Sequence, residues 1–222
     1  MKTIVVTSQK GGSGKTTLAA HLAVEAERRG QSPVCLIDTD KQATLSLWHE
    51  RREAETPQRL DVPISRLPAG VTTLATSGVR YCFIDTAPTI SEQTASIIGL
   101  ADLVLIPVRP SPADLWAVAE TVKLVKDAGK PLLFVITQAK PQTTITAQTV
   151  AVLSEHGRVA KSFLGDRVSY ASAMTDGHTA PELVARSPAA TEIEALWLEV
   201  KSCFIKKLKS GKTEIRKVGN HG

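Results

Sequence analysis

The residues that could do chemistry gather in three short tracts, each placed directly after an apolar run. The first, Gln9-Lys10-Gly11-Gly12-Ser13-Gly14-Lys15-Thr16-Thr17, follows the run 3–7 and leads into the helical stretch Leu18-Ala19-Ala20-His21-Leu22-Ala23. Glycines let successive backbone N–H groups turn inward around one phosphate, and the start of the next helix adds free N–H groups and the positive end of its dipole. At this spacing Lys15 reaches the β and γ phosphates of a nucleotide, and the Thr16 hydroxyl is placed for Mg²⁺. A dinucleotide-binding Gly-x-Gly-x-x-Gly turn competes, with Asp38 as its ribose partner. It fails on pattern, because Gly12-Ser13-Gly14-Lys15-Thr16-Thr17 lacks the last glycine and offers Lys-Thr in its place.

The second tract, Asp38-Thr39-Asp40-Lys41-Gln42, closes the run 34–37. Along an extended segment Asp38 and Asp40 point the same way. Two like charges so close need a cation or a polarised water between them, which Mg²⁺ with ATP supplies. The third tract is Asp85-Thr86-Ala87-Pro88 at the end of the run 81–84. A strand-ending aspartate can hold Mg²⁺ through water, and by itself it is equally well explained as a turn residue. What points to phosphoryl transfer is the order: glycine loop, paired aspartates, strand-ending aspartate.

The elements that must position these tracts are short. Apolar, β-branched runs at 3–7, 34–37, 81–84, 103–108 and 132–137 show little polar alternation, as strands buried on both faces do. Amphipathic stretches at 16–29, 42–55, 91–100, 112–128, 145–156 and 189–209 separate them, so the pattern is β-α-β-α and the expectation is an α/β fold, a mostly parallel twisted sheet with helices on both faces. Ligands of such sheets bind beyond the carboxyl ends of the strands, where all three tracts lie. Residues 56–80 are Pro-rich and read as irregular, with an edge strand at 60–65. In the last stretch Ile193, Leu196, Trp197, Val200, Phe204 and Leu208 recur at helical spacing, which predicts a helix packed on the domain.

The 222 residues, 42% hydrophobic and 22% charged, fit one domain at 1–209 followed by a flexible basic tail at 210–222. No run approaches the roughly 18–20 apolar residues of a bilayer helix, and no secretory hydrophobic region follows Met1, so a cytoplasmic chain is expected. Cys35, Cys82 and Cys203 are far apart, which disfavours a disulfide scaffold, structural zinc or a cysteine-held cluster. The net charge of +5 comes from the end: residues 201–222 carry seven basic residues against Glu214 alone, a net of +6, leaving −1 on the rest. A nearly neutral body with a basic appendage suits contact with a polyanion, nucleic acid or anionic lipid.

Lys10-Gly11-Gly12-Ser13-Gly14-Lys15-Thr16-Thr17 resembles the Lys-Gly-Gly-x-Gly-Lys-[Ser/Thr]-[Ser/Thr] motif of the deviant Walker-A ATPases, the ParA and MinD superfamily, and the chain is most similar to the small plasmid-type, ParF-like members. Asp38 to Gln42 resembles the family's Asp-x-Asp-Pro-Gln with Lys41 in place of proline, and residues 105–115 resemble its Ile-Pro-Val-x-Pro-Ser-Pro-x-Asp segment with Arg109 at the variable position. There Ser111 also suits a helix cap, with Pro112 at the first helical position.

The resemblance implies a P-loop NTPase fold and an ATPase that dimerises on ATP. Lys10 would reach the partner's phosphates, Asp40 would orient the attacking water, Asp38, Asp85 and Thr16 would attend Mg²⁺, and Thr137 would contact the adenine. It also implies non-specific DNA binding through Lys161, Arg167, Lys201, Lys206, Lys207 and Lys209, nucleoid association, and a centromere-binding adaptor of the ParB or ParG kind that triggers hydrolysis, so that plasmid or chromosome DNA is segregated. A MinD-like membrane-surface role is the disfavoured alternative. An ATP-dependent ligase of the dethiobiotin-synthetase kind, or a non-hydrolysing scaffold, is another.

Overall fold

Alternation along each central strand divides the apolar side chains between two cores. The computed structural model describes residues 1–140 and 143–210. Its strands are β1 (Lys2–Val6), β2 (Val34–Asp38), β3 (Gln58–Arg59), β4 (Tyr81–Asp85), β5 (Leu103–Val108), β6 (Leu132–Ile136) and β7 (Arg158–Val159). Ile4, Val6, Leu36, Phe83, Leu105 and Leu133 face one layer of helices, while Val5, Ile37, Ile84, Val104, Ile106 and Ile136 face the other. Burial on both faces is what runs without polar alternation require.

The seven strands form one sheet in the order β3-β2-β4-β1-β5-β6-β7, with every pair parallel. Helix α1 (Lys15–Arg28) follows β1, α2 (Thr44–Glu50) follows β2, and α3 (Leu67–Thr76) precedes β4. The later helices are α4 (Glu92–Gly99), α5 (Pro112–Asp127), α6 (Thr144–His156), α7 (Val168–Thr175), α8 (Ala180–Leu183) and α9 (Pro188–Ser210). Because β1 lies between β4 and β5, the loop after it sits at the middle of the carboxyl edge, flanked by the ends of both neighbours.

The long last helix packs as expected. Ile193, Leu196, Trp197 and Val200 are fully buried beside α1, and Trp197 meets Tyr81 edge-on with ring centroids 5.0 Å apart. That stripe is occupied by the core. Leu208 and the tail from 211 lie outside the residues whose side chains are described.

Residues 56–80 depart from expectation. The edge strand is the two-residue β3, pairing with Cys35 and Leu36, and not 60–65; residues Ile64–Arg66 form a 3-10 turn that runs into α3. Pro63 and Pro68 sit at helix starts, where a missing N–H is harmless, so they begin elements here and do not break them. Helix α2 is shorter than the predicted 42–55, because Ala43 takes a left-handed conformation (φ 53°) at its start and the chain leaves the helix after Glu50.

Candidate nucleotide site

The loop after β1 wraps a cavity of about 330 Å³ lined by Gly11, Gly12 and Gly14 to Thr17, and closed by Asp40, Gln42, Thr44, Pro88 and Gln138 from neighbouring segments. Gly14 caps α1 at φ 91°, a left-handed turn that glycine adopts without strain. Lys15 is buried, with Nζ 3.3 Å from the Lys10 carbonyl oxygen to which it donates. Burial lowers its pKa, and the nearby carboxylates of Asp85 and Asp40 oppose that shift.

Asp85 accepts a 2.6 Å hydrogen bond from the Thr16 hydroxyl on Oδ2, while its Oδ1 is buried with no partner among the described residues. Burial pushes its pKa up to about 7, the bond from Thr16 works against this, and Asp38 adds to it. An orphaned, desolvated carboxylate oxygen beside a hydroxyl is costly unless a cation completes it, so the pair fits Mg²⁺ held through Thr16 and Asp85.

Asp38 and Asp40 do not act as an aligned pair. The strand ends at Asp38 and the chain bends, so alternation stops. Asp38 Oδ1 accepts from the Asp40 N–H at 3.0 Å, and its Oδ2 accepts from the Ser46 N–H at 2.9 Å and the Ser46 hydroxyl at 3.1 Å. Asp38 thus braces the turn into α2, and it lies opposite Asp85 across β2 and β4, close enough that its charge helps to raise the Asp85 pKa. Asp40 lines the cavity. Its Oδ1 accepts from the Gln42 N–H at 3.0 Å, and Oδ2 has no partner among the described residues.

Two residues at the end of β6 hold the loop from the far side. The Thr137 hydroxyl donates to the Ser13 carbonyl at 2.8 Å, and Gln138 Nε2 donates to the Gly12 carbonyl at 2.9 Å from a left-handed backbone (φ 50°). Strain of that kind at a non-glycine residue persists only where its surroundings enforce it. Thr137 is buried, so its hydroxyl is a brace for the loop.

A second cavity of about 330 Å³ continues past Gly14, Thr17 and Gln138 and is walled by Asp166, Arg167 and Tyr170. Sequence reasoning missed Gln138, Asp166 and Tyr170 as site residues. Position just after an apolar run was the available signal for Gln138; for the other two, only folding brings α7 beside the loop.

The basic residues expected to contact DNA are placed unequally. Arg167 gives Nε and Nη2 to Glu192 Oε1 at 2.9 and 2.6 Å and walls the second cavity, so its guanidinium is engaged by Glu192. Lys161 is exposed, and its backbone N–H is held by Glu199 of α9, the helix that carries the half-buried Lys201. For Lys206, Lys207 and Lys209 only the helical backbone is described. No helix among the described residues is long and apolar enough to cross a membrane.

Fold and cavities together define a P-loop nucleotide-binding protein. Residues 4–180 match the model of the CobQ/CobB/MinD/ParA nucleotide-binding domain, and the chain belongs to that family. It is 30% identical over 208 residues to the maintenance of carboxysome distribution protein A of Halothiobacillus neapolitanus, covering 89% of this chain and 95% of that protein. Among solved structures it superposes on MinD of the Aquifex aeolicus MinC:MinD complex (TM-score 0.77, 18% identity, all of both chains). It also superposes on Pyrococcus horikoshii MinD complexed with Mg-ADP (TM-score 0.75, 18% identity, 96% of this chain and 99% of that one).

Proposed function

We propose that this protein is a positioning ATPase that hydrolyses ATP to ADP and phosphate, dimerises in the ATP state, binds DNA without sequence preference, and is stimulated by an adaptor. The observation that carries the reading is the convergence of Lys15, Thr16 and Asp40 on one glycine-lined cavity, with Asp85 bonded to the Thr16 hydroxyl. In this reading the triphosphate would lie in that cavity and the base in the one beyond Gly14.

Backbone N–H groups of the loop and the Lys15 ammonium hold the phosphates, and Asp40 presents a free carboxylate oxygen to orient the attacking water. Bound Mg²⁺, attended by Thr16 and Asp85, would neutralise charge developing on the β and γ oxygens. Lys15, folded onto the Lys10 carbonyl, exchanges that weak contact for phosphate oxygens. Lys10 has no side-chain partner among the described residues and supplies the ammonium for a second copy's nucleotide. Lys161 and Lys201 offer phosphate contacts to DNA, with affinity falling steeply with salt.

The cargo is plasmid or chromosome DNA, or a protein body of the kind recorded in the name of the carboxysome-distribution relative. Phosphate release with and without duplex DNA tests the enzyme. Asp40→Ala retains ATP and loses about 100-fold or more in turnover; normal turnover in that variant removes Asp40 from its role.

A further inference from the structure

Arg109 occupies the variable position between β5 and α5, and its geometry is unlike that of a surface arginine. Its Nε and Nη2 donate to the two oxygens of Asp114 at 3.0 and 3.1 Å, and Asp114 is nearly sealed from solvent, its side chain 3% exposed. Asp114 is itself fixed at the start of α5: its backbone N–H donates to the Ser111 hydroxyl oxygen at 3.2 Å, and that hydroxyl donates to Oδ2 at 2.5 Å. A bidentate, buried clamp sets the plane of the guanidinium. The third nitrogen, Nη1, has no acceptor among the described residues, and it lies against the glycine loop: a methyl placed on Gly12 would sit 3.6 Å from it.

Arg109 is not among the residues that line the phosphate cavity. Gly12 is two residues from Lys10, and both glycines of that turn are exposed. Apolar side chains stand exposed on two segments that follow the strands flanking β1. Trp116, one turn into α5, is 79% exposed, and Ile90 in the loop after β4 is 37% exposed. Gln9 reaches over to Glu120 on the same outer stripe of α5 as Trp116, through a 2.9 Å bond, so loop and stripe form one surface. A pre-set guanidinium with free N–H donors beside apolar groups suits an anion delivered by a protein surface that also covers those groups.

We propose that Arg109 is a second interprotomer cation: held by Asp114 beside Gly12, it presents Nη1 to the triphosphate bound by a second copy of this chain, next to the ammonium of Lys10. This rests on the ATP-dependent dimer proposed above. Lysine is a poor substitute, because its single ammonium has no second nitrogen to stand where Nη1 does while it holds Asp114.

The test is sedimentation velocity of the full chain with Mg²⁺ and a non-hydrolysable ATP analogue, comparing the parent with Lys10→Ala, Arg109→Gln, Arg109→Lys and Lys126→Gln, the last removing a charge at the distant end of α5. Arg109→Gln and Arg109→Lys weaken dimer association by about tenfold or more, as Lys10→Ala does, while Lys126→Gln stays within about twofold of the parent. Should Arg109→Gln fold poorly, the neutral pair Arg109→Gln/Asp114→Asn keeps amide contacts in place of the ion pair and carries the same expectation. A parent that dimerises, with an arginine-free variant that dimerises equally well, overturns the role of Arg109 alone. A parent that stays monomeric with the analogue overturns the dimer reading and this inference with it.

Discussion

Acidification should destabilise this protein through His21, a residue that takes no part in the proposed chemistry. His21 is fully buried in α1, with Nδ1 2.8 Å from the Thr17 carbonyl and Nε2 accepting the Ala180 N–H at 3.1 Å. The second contact fixes the neutral tautomer, because a protonated Nε2 would face another donor. Tyr170 packs edge-on against the ring, and Glu182 is the acidic group that acts on it, its own charge engaged by Arg52. Burial lowers the His21 pKa from 6.5 to about 4, against the smaller upward pull of Thr17 and Glu182. The unfolded chain therefore takes up the proton first. The stability contribution is complete above pH 6.5 and is lost as pH falls towards 4. Linkage gives a loss of about 2 kcal/mol by pH 5 and about 3 kcal/mol by pH 4. Urea unfolding from pH 7.5 to 4.5, with His21→Gln as reference, isolates this group, since the amide can still donate to Thr17 and accept from Ala180. The parent should lose stability relative to the variant by that amount. Parallel curves would refute the buried, neutral assignment.

Three further perturbations test the packing and the loop. Gly177→Ala forces a side chain to within 2.5 Å of the Arg51–Arg52 backbone at φ +75°; a loss of about 2–3 kcal/mol is expected in chemical denaturation. Trp197→Ala empties the contact between α9 and the sheet and should cost about 3–5 kcal/mol by the same measurement. Thr137→Val removes the hydroxyl that braces Ser13 while keeping its shape; it should lower stability by about 1 kcal/mol and weaken nucleotide binding several-fold by calorimetry. Chelating divalent cations should shrink the rise in melting temperature that ATP produces, because Asp85 Oδ1 then has no partner.

The central strands and the glycine loop were legible because both depend on local pattern: four or five consecutive apolar residues have few other solutions, and Gly11 to Thr17 states its own backbone requirements. Helix α3 was not. Leu67 is its one fully buried residue, so its amphipathic signal is faint, and Pro63 and Pro68 suggested interruption where they mark beginnings. The expected alignment of Asp38 with Asp40 failed for a related reason, since alternation holds only until the chain turns, and the turn at Thr39–Lys41 is stabilised by the Asp38 side chain. Trp48 is a core aromatic, 3% exposed, with its indole N–H donating to the His178 carbonyl at 3.0 Å. Arg109, Gln138 and Tyr170 come to the loop from positions far along the sequence, and pairings of that range leave no local trace.

The uneven burial of the three tryptophans gives the molecule its own optical probe. Trp48 and Trp197 are sealed at 3% and 1% exposure, so their emission should be blue-shifted and shielded from acrylamide, whereas Trp116 at 79% should emit at long wavelength and be quenched freely. Fluorescence excited at the red edge of the absorption band would then come mainly from one indole beside the nucleotide loop. Anything that covers that surface would register without a label.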